Sequence, residues 1–227
     1  MVQLVLWDID HTLVSTPGVS GELFGRAFRE VTGREAKRPE GAQTDAVAFR
    51  EAARSLELQA PREDFERFAA ALAEQHLRCA PAIRERGHVL GGAAAALSGV
   101  ASLSGVRQTV VTGNVRGAAE VKLRVLGLES QIECSIGAFG EDGDEPAELI
   151  RVALGRAAQA PGREVPTEEV VFIGDTPADV EAGQACGVRV VAVASGGSGE
   201  DELRAAGAEV VLPGLDDTEE LLKVLAD

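Results

Sequence analysis

Four short apolar runs punctuate the chain: Leu4–Trp7, Thr109–Val111, Val170–Ile173 and Val188–Val193, with a weaker fifth at Glu209–Leu212. Val-rich runs without polar alternation predict strands buried on both faces. Between the later runs the apolar period changes to that of helices. In Val115–Leu128 the residues Ala118, Val121, Val125 and Leu128 recur at spacings of three and four, and Ala178–Cys186 and Asp201–Ala206 fill the next gaps. Ala93–Leu97 predicts a helix feeding the second strand, and Thr218–Leu225 a closing one. Strand and helix in alternation predict βαβ units. The expected fold class is therefore α/β, a Rossmann-like parallel sheet with helices on both faces.

From about Gly18 to Arg86 that rhythm stops. Glu22–Thr32, Thr44–Leu56 and Arg62–Cys79 read as amphipathic helices punctuated by Pro39, Pro61 and Pro81, with no convincing strand. The spacing predicts a small helical module inserted after the first strand, joined by linkers at Ser15–Ser20 and Ala80–His88. The domain expectation is a core of residues 1–16 and 89–227 and a helical insert of residues 17–88.

Composition narrows the function classes. The chain has 227 residues, 22 basic against 37 acidic side chains and a net charge of −15. That balance repels a phosphate backbone, and seven Phe, one Trp and no Tyr offer little for base stacking, so no nucleic-acid partner is expected. Cys79, Cys134 and Cys186 lie far apart with no CxxC pair, which fits a reducing, cytoplasmic setting. No apolar run approaches the ~20 residues of a membrane span, and the N-terminus does not read as a signal peptide. The expectation is a monomer or homodimer with no membrane partner.

The polar clusters follow the strands: Asp8-Ile9-Asp10-His11-Thr12 after the first, Thr112-Gly113-Asn114 after the second, and Gly174-Asp175-Thr176-Pro177-Ala178-Asp179 after the third. Ligands of open parallel sheets bind beyond the carboxyl ends of the strands, where these three clusters would converge. Four crowded carboxylates call for a hard divalent cation, and Mg²⁺ takes one or two of them plus water and substrate phosphate. One carboxylate can then act as nucleophile and a second, two residues along, as general acid and base. Asp175 or Asp179 taken alone fits equally a helix cap near Ala178. Thr112-Gly113-Asn114, ahead of a helix, reads either as an anion seat or as ordinary capping residues. Lys122, one of three lysines, is either the phosphate-neutralising cation or a stem laid along apolar surface. His11 is placed to touch the site, whereas His76 and His88 read as surface residues. Ser195–Gly199 lacks the Gly-Lys-Ser/Thr of a phosphate loop and reads as a connection. Arg84 and Arg86 are either solvated or met by an anionic substrate.

These residues resemble the haloacid dehalogenase superfamily. Asp8-Ile9-Asp10-His11-Thr12-Leu13 is similar to its DxDGT first motif, Thr112-Gly113-Asn114 to its second, and Gly174–Val180 to its fourth; Lys122 is the best candidate for its third. The resemblance implies Asp8 as nucleophile and Mg²⁺ ligand, and Asp10 as acid and base whose backbone carbonyl also binds metal. It implies Asp175 as the further metal ligand with Asp179 in support, Thr112, Gly113, Asn114 and Lys122 at the phosphate, and Thr12 ordering the first loop. The helical insert resembles a cap of the first type, and Gly41–Asp45 resembles a segment of phosphoglycolate-phosphatase-like members, making Gln43 and Thr44 candidate substrate contacts. His11 stands where glycine is usual. The usual third-motif region, Glu141-Asp142-Gly143-Asp144-Glu145, is acidic instead. The function implied is Mg²⁺-dependent hydrolysis of a small phosphorylated metabolite through an aspartyl-phosphate. A phosphomutase or a non-catalytic metabolite-binding protein are the alternatives. Dehalogenation is disfavoured because that branch lacks the carboxylate found at Asp10.

Overall fold

A computed structural model describes residues 1–159 and 165–226. Its central sheet has five parallel strands in the order β4-β1-β5-β6-β7: β1 (Leu4–Trp7), β4 (Arg107–Val110), β5 (Val170–Gly174), β6 (Arg189–Val193) and β7 (Val210–Leu212). The strand period sorts the side chains into two cores. Val5, Trp7, Val171, Ile173, Val191 and Val193 face one side and pack with α5 (Ala93–Ala101), α6 (Arg116–Val125) and α10 (Thr218–Ala226). Leu4, Leu6, Val170 and Phe172 face the other side, against α7 (Pro146–Ala158) and α8 (Pro177–Cys186). The short α9 (Glu200–Ala205) closes the β6–β7 crossover, where Leu203 packs on Val190 and Ala192. A parallel sheet covered on both faces is what near-continuous apolar runs require.

All five strands fall where the apolar runs lie, with ends shifted by one or two residues. Helix α7 is one that apolar period alone does not announce. It is fixed by a capping box between Glu145 and Glu148 and by a proline at its first turn. The expected linker at Ala80–His88 is also mostly helix, α4 (Ala80–Arg86), because Pro81 sits in the first turn, where a missing N–H costs nothing.

The helical insert carries a core of its own. Helices α1 (Val19–Thr32), α2 (Asp45–Ser55) and α3 (Arg62–Arg78) bring together Phe24, Phe28, Phe49 and Phe68, with Phe49 and Phe68 ring centroids 4.9 Å apart and Phe24 and Phe68 5.1 Å apart. The two ends of the insert meet in a small antiparallel ribbon, β2 (Val14–Ser15) with β3 (His88–Val89). The insert core continues into Val115, Ala118 and Val121 of α6, and Gly117 lets α3 approach so closely that a Cβ there would sit 2.5 Å from the Ala73 Cβ. Helix α6 is thus shared: Ala119 and Leu123 face the sheet, and Ala118 and Val121 face the insert.

Phe68 lies at the centre of this aromatic cluster, so Phe68→Ala should destabilise the protein by about 3–5 kcal/mol. Guanidinium unfolding followed by circular dichroism checks this, and a loss below about 1 kcal/mol would contradict the packing described.

Candidate active site

The carboxyl ends of β1, β4 and β5 deliver three loops to one cavity of about 460 Å³. From the first loop come Asp8, Asp10 and His11; from the second Thr112, Gly113 and Asn114; from the third Asp175, Thr176 and Asp179. The insert supplies the opposite wall, including Ser20, Phe24, Arg38, Gln43, Asp45, Leu72 and His76. The volume suits a small metabolite.

The first loop is a tight turn in which the amides of Leu13 and Val14 both donate to the Ile9 carbonyl, at 2.9 and 3.0 Å. His11 takes the left-handed conformation this turn needs, with φ of +66°. That explains why glycine suits the position, and histidine is among the residues that tolerate it best. Thr12 is buried and its hydroxyl donates to Asp175 Oδ1 at 3.1 Å, tying the first loop to the third. The Ser195 hydroxyl donates to the His11 carbonyl at 2.7 Å, and a Cβ on Gly196 would fall onto the Asp175 carboxylate. The glycine-rich stretch after β6 is therefore a buttress for Asp175 and His11.

Lys122 is fully buried, although it belongs to the polar complement of α6. Its Nζ donates to Asp10 Oδ1 at 2.9 Å, Asp10 Oδ2 at 2.7 Å and Asn114 Oδ1 at 2.8 Å. Asn114 Nδ2 in turn donates to Asp10 Oδ2 at 2.7 Å and to the Thr112 hydroxyl at 2.8 Å. All three of the lysine's donors are satisfied, as burial demands. Burial pushes Asp10 upward, but the Lys122 charge and the hydrogen bonds from Lys122 and Asn114 outweigh it and hold Asp10 below the usual carboxylate range.

The second loop is gripped from the insert. The Asp45 amide donates to the Gly113 carbonyl at 2.8 Å, and Asp45 Oδ2 accepts the Val115 amide at 2.9 Å. A Cβ on Gly113 would fall onto the Gln43 carbonyl, so only glycine permits this approach. The Arg116 amide donates to Glu141 at 2.9 Å. Carboxylates of this chain therefore already hold the first amides of α6, leaving the Thr112 side chain and the Gly113 backbone among the groups that line the cavity.

The remaining expected residues fall as follows. Gln43 lines the cavity, with its amide donating to the Gly41 carbonyl at 3.1 Å. Thr44 is fully buried and caps α2 by accepting the Val47 amide at 3.2 Å; it does not line the cavity, because its hydroxyl is turned to its own helix. Arg86 pairs with Glu22 at 3.0 Å and Arg84 is exposed, and neither lines the cavity. The surface expectation is met at His88 but overturned at His76, which is 2% exposed and lines the cavity. Its position in the α3 stripe Phe68, Leu72, His76, at steps of four, is the sequence signal that marks it as inward-facing. Arg38 and Asp45 were not singled out at all; Arg38 donates to the Ala42 carbonyl at 2.9 Å and stands 3.4 Å from Asp45 Oδ1.

A family model described as haloacid dehalogenase-like hydrolase matches residues 5–184. The chain belongs to this family. Solved structures agree on the fold. A hydrolase from Pseudomonas syringae is 19% identical with a TM-score of 0.71, and each chain is covered in full. CbbY from Rhodobacter sphaeroides, in complex with phosphate, is 20% identical with a TM-score of 0.69 over 96% of both chains. A predicted phosphoglycolate phosphatase from Haemophilus somnus is 16% identical with a TM-score of 0.66 over 97% of this chain and 98% of its own. A search of curated proteins gave no significant match.

In this haloacid dehalogenase-like chain the remaining acids are electrostatically unsettled. Burial raises Asp8 well above the usual range, and repulsion from Asp179, Asp175 and Asp10 adds to it. Burial, followed by repulsion from Asp179, pushes Asp175 to about 7 against the opposing Thr12 hydrogen bond. Asp179 is raised by burial, although Thr176 donates to its Oδ2 from the amide at 3.0 Å and the hydroxyl at 2.7 Å. It thus caps α8 and stands beside Asp175 at once. An all-oxygen donor set in a mutually repelling cluster fits a hard divalent cation. Among the described residues no three His, Cys, Asp or Glu side chains form a ready-made cage. Mg²⁺ needs none, since water and substrate phosphate complete its shell.

A carboxylate whose pKa is raised on folding favours the folded state below its unfolded value and loses that contribution as pH rises through the folded one. For Asp175 the window runs from 3.8 to about 7. In EDTA, the melting temperature of the wild-type protein should fall across this window more steeply than that of Asp175→Asn. Equal slopes in differential scanning fluorimetry would contradict the crowding of Asp175.

Proposed function

We propose that the protein is a Mg²⁺-dependent phosphomonoester hydrolase acting on a small phosphorylated metabolite. The observation that carries this reading is the pairing of two unlike aspartates on one loop. Asp8 lines the cavity with no side-chain hydrogen-bond partner among the described residues, whereas Asp10 is held by Lys122 and Asn114. Environments that separate two carboxylates assign them different roles. CbbY, which shares the fold, was solved with phosphate bound, in keeping with this class of ligand.

In the first half-reaction an Asp8 carboxylate oxygen attacks phosphorus and the ester P–O bond breaks. The departing alkoxide receives a proton through Asp10, which Lys122 and Asn114 hold as carboxylate at rest and which takes up that proton as the substrate binds, so the alcohol leaves and phosphate remains on Asp8. In the second half, water attacks phosphorus while the Asp10 carboxylate takes its proton; the bond to Asp8 breaks and inorganic phosphate leaves. Lys122 keeps Asp10 in the carboxylate form that this second half requires, and Asn114 fixes its orientation. The Thr112 hydroxyl, whose oxygen already accepts from Asn114, retains its own proton to donate to a phosphate oxygen. Asp8, Asp175 and the Asp10 backbone carbonyl would hold Mg²⁺, with Asp179 supporting Asp175. Bound there, the ion would neutralise charge on the transferring phosphoryl group. The insert would act as the cap that covers the cavity and excludes water.

Phosphate release from a panel of phosphomonoesters, measured with and without Mg²⁺, tests the reading. Activity should require the metal and vanish in Asp8→Asn. Undiminished turnover in that variant would overturn the covalent route, and phosphoryl retransfer without phosphate release would identify a mutase instead. Lys122→Met should lower kcat by about 100-fold or more, the usual scale for losing one preorganised charge-stabilising donor. A loss below about fivefold in steady-state kinetics would remove Lys122 from the machinery.

A further inference from the structure

His76 has no part in the chemistry above, yet it lines the same cavity. Its Nδ1 lies 2.8 Å from the Leu72 carbonyl oxygen. A carbonyl can only accept, so Nδ1 carries the proton and the neutral ring leaves Nε2 as a bare acceptor. With Nδ1 turned back to its own helix, the Nε2 edge points away from α3. Nε2 has no hydrogen-bond partner among the described residues and is covered even on the cavity side, so a ligand reaches it only after a small shift of that wall. Burial pushes the His76 pKa down to about 4, and the Lys122 charge adds to the effect, so the ring stays neutral near pH 7. A buried acceptor without a donor is unfavourable, and a leucine or phenylalanine would fill this apolar stripe without that cost. A donor arriving with the substrate resolves the conflict.

We propose that His76 determines specificity, its Nε2 accepting a hydrogen bond from a hydroxyl on the organic part of the substrate, so that hydroxylated phosphomonoesters are the preferred class. This rests on the phosphomonoesterase reading of the cavity. The lone pair of Nε2 repels phosphate oxygens, which places the transferring group at Asp8 and Thr112 and turns the alcohol portion toward His76. Phe24 and Leu72 line the same wall and offer apolar surface to the carbon skeleton. A site built to bond a hydroxyl rejects the analogue that lacks it, because the acceptor is then left unpaired.

Matched pairs test the assignment: glycerol 1-phosphate against propyl phosphate, ribose 5-phosphate against 2-deoxyribose 5-phosphate, and glucose 6-phosphate against 2-deoxyglucose 6-phosphate. Binding is measured by calorimetry to the Mg²⁺-loaded Asp8→Asn protein, and kcat/KM on the protein with Asp8 intact. At least one pair should show a preference of about tenfold or more for the hydroxylated member. His76→Phe should cut that preference to about twofold, and His76→Gln, whose Oε1 restores an acceptor, should recover part of it. No preference in any pair, or an equal loss for both members in His76→Phe, would overturn the proposal. If no ester is hydrolysed the phosphatase reading falls, while the binding ratios still decide the role of His76. If His76→Phe fails to fold by circular dichroism, the ratio in His76→Leu decides instead.

Discussion

A buried ammonium held by one carboxylate and one amide is the constraint around which this molecule is arranged. Lys122 is completely enclosed, and an unpaired charge there would be prohibitively costly. Asp10 answers with both carboxylate oxygens and Asn114 with its carbonyl. That three-way contact fixes the rotation of α6 about its axis, the path of the loop after β4 and the orientation of the second aspartate on the first loop. The same rotation turns Ala118 and Val121 toward the insert and Ala119 and Leu123 toward the sheet. Packing and chemistry are therefore not separable along this helix.

The loop between β4 and α6 is the second point of convergence. Gly113 is pressed between the Gln43 carbonyl of the insert and Gly140 of the core, and a side chain on either glycine would collide with backbone. Asp45 completes the junction by donating to Gly113 and accepting from Val115. Burial raises the Asp45 pKa, with Arg38 and the Val115 amide opposing it. Any outward motion of the insert must break these hydrogen bonds and expose the Asp45 carboxylate to water. Hydration regained by the carboxylate would offset part of the cost of the broken bonds.

How much of this was legible in the sequence follows from the range of the interactions involved. The strands were readable because burial on both faces leaves an unbroken apolar run, and the cavity positions of Asp8, Asp10 and Asp175 because Asp8 and Asp175 directly follow a strand and Asp10 lies two residues beyond Asp8. Helices α1, α2 and α3 were readable from period and proline placement. The β2–β3 ribbon was not, since two residues per strand carry no pattern, and α7 hid behind an acidic stretch whose cap depends on Glu145 and Glu148 meeting in space. Thr44 shows the reverse difficulty. A hydroxyl in a loop reads alike as substrate contact or helix cap, and only the Val47 amide at 3.2 Å separates them. Asp45 owes its importance to contacts across the insert–core boundary, with Gly113 and Val115, and no local spacing encodes those. Lys122 lay between: its spacing marked the edge of the buried stripe, but its partner, 112 positions away, is visible only in the fold.

The net charge of −15 also takes a definite meaning from the site. An acidic surface opposes the approach of any anionic ligand, so attraction of one must be local and short-ranged. Asp10 and Asn114 already occupy Lys122, and Arg38 is committed to Ala42 and Asp45. Little uncompensated positive charge is thus left on the protein side of the cavity, while Asp8, Asp175 and Asp179 repel one another. A divalent cation would change both conditions at once, relieving the carboxylates and attracting an anion. In a protein so acidic, the affinity for substrate and the affinity for metal should therefore be strongly coupled, and by linkage each must raise the other equally.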